Sequence, residues 1–114
     1  MKKWQMPPDL IEDVKKRENG ECAVCGLPIT GLGHVHHRKP RGMGGSGAVN
    51  IMSNLIYLHP SCHLRHVEEQ RSRAIENGWL VVGDVHPAEA PLIYKLNNWV
   101  YLGDDGYILI DTER

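Results

Sequence analysis

Phenylalanine is absent from the 114 residues, and three Trp and four Tyr are the aromatic side chains available. Apolar residues make up 41%, slightly under the usual share, so a thin core is expected and a staple such as a metal would support it. Cysteine is scarce and odd in number. Three residues exclude a complete disulfide framework, and the Cys22-x2-Cys25 pair suits metal binding in a reducing compartment. No apolar run after Met1-Lys2-Lys3 has the length of a signal peptide, and none approaches a membrane span. A cytoplasmic, soluble protein with no membrane partner is expected. No Gly-Lys-Ser/Thr follows the Gly-rich stretch 42–47, which excludes a phosphate-binding P-loop. Net charge is only −1, so no strong overall field selects a partner. Its distribution is uneven: residues 1–75 sum to +4 and residues 76–114 to −5, so the basic part is the one suited to a polyanion.

The length fits one compact unit and is short for two. Pro7-Pro8-Asp9 opens a helix predicted to reach about Glu18, closed by Asn19-Gly20. A short strand carrying His34, His36 and His37 is predicted to end near Arg38, before Lys39-Pro40. Asn54–Leu58 is a second strand, and a helix is expected from Ser61 to Glu76, stopped by Asn77-Gly78. Beyond it, Trp79–Val82 reads as a strand, while Trp99–Leu102 and Tyr107–Ile110 flank Gly-Asp-Asp-Gly as a hairpin. The fold class is therefore α+β: residues 1–78 form a core with an N-terminal helix, and residues 79–114 a C-terminal β-hairpin extension packed on it.

Zinc takes four ligands, usually two from each of two turns. Cys22-x2-Cys25 and His59-x2-Cys62 supply them and account for every Cys. A two-Cys, two-His finger fails, because His34 and His37 are too close together and Cys62 is orphaned. Buried thiols with a surface His59 would be the bland alternative, and the paired spacings favour a structural zinc site.

His36, His37 and His63 are left for other work. Neighbours on a strand face opposite ways, so one imidazole can hold a metal while the next meets a water. The pattern His36-His37, Asn54-Leu55, Cys62-His63 resembles the HNH endonucleases, especially the small ones of phages and actinobacteria. The stretches that carry the likeness read HHRKPRGMGG (36–45) and NLIYLHPSCH (54–63). The likeness covers residues 20–78; one departure is His59, where Cys is usual, a change zinc tolerates.

That resemblance implies a ββα-metal (His-Me finger) core stapled by zinc. His37 would be the general base and Asn54 would orient it through its side chain or carbonyl. His36 and His63 would hold one divalent cation, Mg2+ or Mn2+, and the products would carry 5′-phosphate and 3′-hydroxyl ends. Some members have a third His ligand four residues after the second; here Val67 occupies that position, so the third ligand is open, with His66 one turn from His63. His34 shares the strand face of His36 and is either a supporting group or solvent-facing. Arg38, Lys39, Arg41 and Arg65 are candidates to track DNA phosphates, whereas Arg71 and Arg73, beside Glu68, Glu69 and Glu76, read as a solvated charge run. DNA is the expected partner, in a bacterial or phage-infected cell. A second copy of the chain is a further candidate, since one site nicks and two cut both strands. The competing function is a non-catalytic zinc module that binds nucleic acid, which leaves His36-His37 and Asn54 unexplained. A zinc deaminase is set aside because its His-x-Glu and Pro-Cys-x2-Cys signature is missing.

Overall fold

In the computed structural model, residues 8–40 and 50–112 are described. Asp9 at the first turn and Lys15, Lys16 and Arg17 at the last complement the dipole of helix α1, Pro8–Arg17. The chain turns through Asn19 and Gly20, both at positive φ, and Gly20 donates back to the carbonyl of Lys15. A bridge between Glu21 and Pro28 closes the loop that holds Cys22 and Cys25. Strand β1, His34–His37, then pairs antiparallel with β2, Leu55–Leu58, with His36 opposite Ile56 and His37 opposite Leu55. All four β2 residues are buried, which explains their unbroken apolar run.

The helix expected from Ser61 to Glu76 is divided. A short α2, Pro60–Cys62, passes into a π-helical segment, His63–Glu68, and α3 runs Arg71–Glu76. The wider register is visible in the amide of Glu69, which donates to the carbonyl of Leu64 at 2.9 Å. Gly78 follows at φ +81, and a Cβ there would stand 2.1 Å from the carbonyl oxygen of Pro91. Both the left-handed backbone and the close approach require glycine. Gly78→Ala is expected to cost about 1–2 kcal/mol for the conformation and about 1–3 more for the overlap. Melting followed by circular dichroism should show a drop of several degrees; an unchanged midpoint would mean that this turn is not constrained.

Trp79–Val82 is not a strand. The amide of Val81 donates to the carbonyl of Arg38 at 2.9 Å, and residues 79–81 lie at the end of β1 as irregular buried chain, with Val82 exposed. The expected hairpin is present as β4, Asn98–Leu102, and β5, Ile108–Ile110, and it gains a partner in β3, Leu92–Tyr94. The sheet order is β3-β4-β5, all antiparallel. Pro91 before Leu92 concealed β3, because the sequence there reads as loop.

Trp79, Leu80, Leu92, Tyr94, Val100 and Leu102 form one buried cluster with Cys22, Ile56, Leu58, Val67 and Ala74. The C-terminal part is thus built into the same core as the motif. A second cluster, Val14, Leu55 and Tyr57, seats α1 on β2. Glu18, fully buried, links the two. Its carboxylate accepts from Arg17, from the amide of Tyr57 and from the hydroxyl of Tyr94.

Candidate metal and nuclease site

Cys22, Cys25, His59 and Cys62 converge, each offering a ligand atom within 4.8 Å of the others. Nδ1 of His59 lies 3.4 Å from Sγ of Cys25 and 3.9 Å from Sγ of Cys62, separations that zinc bonds of about 2.0–2.3 Å can span. The other ring nitrogen of His59 donates to the carbonyl of Pro28 at 3.1 Å. That bond fixes the tautomer and aims the Nδ1 lone pair at the thiols. Burial pushes the Cys62 thiol up to about 12, with Cys22 adding to the effect. Burial also opposes ionisation of Cys22, but amide hydrogen bonds, that of Cys25 foremost, hold it below its ordinary value. Thiols so crowded ionise together only around a cation, so the donor set fits zinc.

A second group of histidines gathers around β1. His36 is buried and its Nε2 donates to the carbonyl of Trp79 at 2.8 Å, leaving the lone pair on Nδ1. Burial lowers its pKa to about 4, so the ring is neutral and able to ligate a metal at physiological pH. His63, from the π segment, sits with its ring centroid 4.7 Å from that of His36. Its Nδ1 is 3.0 Å from Nδ1 of His34, and burial holds its pKa below the usual histidine value. His34 therefore belongs to the cluster, on the face of β1 that alternation predicts. His36, His37, Pro40, His63, Val67, Glu68, Arg71 and Leu80 line one pocket. The imidazoles of His36 and His63, both lining this pocket, are of the ligand type that could hold a divalent cation there.

His37 occupies the end of β1, half-buried, with Nε2 2.9 Å from the amide oxygen of Asn50. An oxygen only accepts, so Nε2 carries the hydrogen and Nδ1 the lone pair. Asn50 was not foreseen; its only sequence signal is its place at the end of the Gly-rich stretch. Asn54 is fully buried and holds the turn after β1 by both ends. Its Oδ1 accepts from the amide of Lys39 at 2.6 Å, its Nδ2 donates to the carbonyl of Lys39 at 3.1 Å, and its own carbonyl accepts from the amide of Arg38 at 2.8 Å.

One expected DNA contact is corrected. Arg38 is fully buried, and its guanidinium donates to the carbonyls of Gly78, Ser53, Pro87 and Ala90. Strand alternation sends it inward, so it is a structural clamp with no access to phosphate. Lys39 is half-buried, its Nζ donating to the carbonyl of Val85 at 3.2 Å, and Arg65 is exposed on the π segment. Arg41 lies outside the described residues. Arg71, which the sequence marks as solvated, is exposed and also borders the histidine pocket.

The HNH endonuclease family model matches residues 22–69, a span that holds all four zinc-type ligands and the three pocket histidines. No curated protein and no solved structure matches the chain significantly. No helix among the described residues is long and apolar enough to cross a membrane.

Proposed function

We propose that the chain, whose residues 22–69 match the HNH endonuclease family model, hydrolyses phosphodiester bonds in DNA, with His37 as general base. The observation that carries this reading is the pocket shared by His36, His37 and His63 at the end of β1, lined by none of Cys22, Cys25, His59 and Cys62. A structural zinc explains the second set and leaves the first without a role.

His36 and His63 hold the catalytic cation, Mg2+ or Mn2+. That ion would supply Lewis-acid polarisation of the scissile phosphate and stabilise the leaving oxygen. His37 accepts a proton from the attacking water at Nδ1, and Asn50, bonded to Nε2, keeps the ring in that tautomer. Asn54 acts one step removed, holding the turn at which β1 ends and so the placement of His37. Lys39, Arg65 and Arg71 take flanking phosphates, contacts that position the duplex and carry little sequence preference. Among the described residues each chain offers one such pocket, so a monomer nicks and a pair is needed for both strands.

Supercoiled plasmid incubated with Mg2+, Mn2+ or EDTA tests the reading on a gel. Relaxed or linear product is expected with either cation, and none with EDTA. Binding of the plasmid without cleavage under every condition would replace the enzyme by a zinc-containing nucleic-acid-binding module.

A further inference from the structure

We propose that Glu68 supplies the carboxylate ligand that completes the divalent-cation site of His36 and His63; the inference rests on the nuclease reading above. Three residues lie about one turn beyond His63. His66 turns to the indole of Trp79, with ring centroids 6.0 Å apart. Val67 is only 3% exposed and belongs to the core cluster. Glu68 alone of the three extends a ligand atom toward His63, its Oε1 3.9 Å from Nε2.

The π-helix is the cause. In an α-helix the residue above His63 on the same face would be Val67, four places on. The i→i+5 register of His63–Glu68 brings the fifth residue over the first. The wider turn thus lets Val67 stay in the core while a carboxylate reaches the pocket, which Glu68 lines together with His36, His37 and His63.

The atoms are also assigned consistently. Nδ1 of His63 is engaged by His34, so Nε2 is the nitrogen directed at Glu68. A separation of 3.9 Å exceeds a hydrogen bond and lies within the span of two ligand bonds of about 2.1 Å each. A mixed imidazole and carboxylate set suits Mg2+ and Mn2+, where imidazoles alone would favour zinc. The Glu68 side chain is 60% exposed, so it can be changed without touching the core.

The test is a Mn2+ titration of the zinc-loaded protein followed by electron paramagnetic resonance. Wild type should bind one Mn2+. Glu68→Gln should weaken it by about 10–100-fold or more, the scale reported for supporting groups alone, with zinc content and melting temperature unchanged. Glu69→Gln removes a neighbouring charge and should bind Mn2+ as wild type does. Equal affinity in Glu68→Gln and wild type would reduce the contact to a surface ion pair and overturn the proposal, while cation-dependent plasmid cleavage would leave the nuclease reading standing. Equal weakening by Glu69→Gln would show a general charge effect and overturn it too. Wild type binding no Mn2+ beyond its zinc would overturn both.

Discussion

His37→Ala is expected to abolish plasmid cleavage while zinc content, melting temperature and DNA affinity stay at wild-type values. A general base acts on the attacking water in the transition state and adds little to ground-state binding, so its loss falls on the rate, by about 10²–10⁴-fold. The fold should tolerate the change, because His37 is half-buried at a strand end and its ring bond goes to Asn50. His63→Ala should be inactive for another reason, reduced hold on the cation, and excess Mn2+ should restore part of its activity. The same Mn2+ should do nothing for His37→Ala, which lacks a proton acceptor. A His37→Ala protein that cuts plasmid at the wild-type rate would remove the catalytic assignment.

Cys25→Ser should lose both zinc and fold. Apparent zinc-binding free energies in small Cys/His sites are about 10–16 kcal/mol, comparable with the whole stability of a domain, about 5–15 kcal/mol. Cys22 is buried at the centre of the main cluster, so an emptied site would expose core as well as ligands. Metal analysis and circular dichroism on the purified variant give the answer; native melting without zinc would show that the core stands unaided. In wild type, graded EDTA should stop cleavage before the helix signal falls. A cation on His36 and His63 would have few protein ligands, whereas the Cys3His group would enclose its ion.

Sequence spacing was enough to find the zinc group, because each x2 pair fixes two ligands on one turn whatever surrounds it. The strand face shared by His34 and His36 was equally legible, since alternation depends only on the backbone. Arg38 shows where that reasoning stops. A basic residue next to His37 looks like a phosphate contact, and only the carbonyls of Gly78, Pro87 and Ala90 reveal that the interior needs it. Helical periodicity likewise assumes 3.6 residues per turn, so the pattern from Ser61 to Glu76 concealed the π segment and the place of Glu68. Asn50 reaches His37 across a stretch with no periodic signal.

Arg38 stands one residue past the proposed base, yet three of the four carbonyls it serves belong to residues 78, 87 and 90. Residues 22–69 alone hold every zinc-type and pocket-histidine ligand but only one of the four carbonyls, that of Ser53, that Arg38 binds. Its guanidinium is too costly to bury alone. The turn that ends the strand bearing His37 is thus tied to residues 78, 87 and 90, and the buried cluster extends to Leu102. A chain cut short before residue 78 would keep the whole motif and lose three of the four carbonyls that hold Arg38.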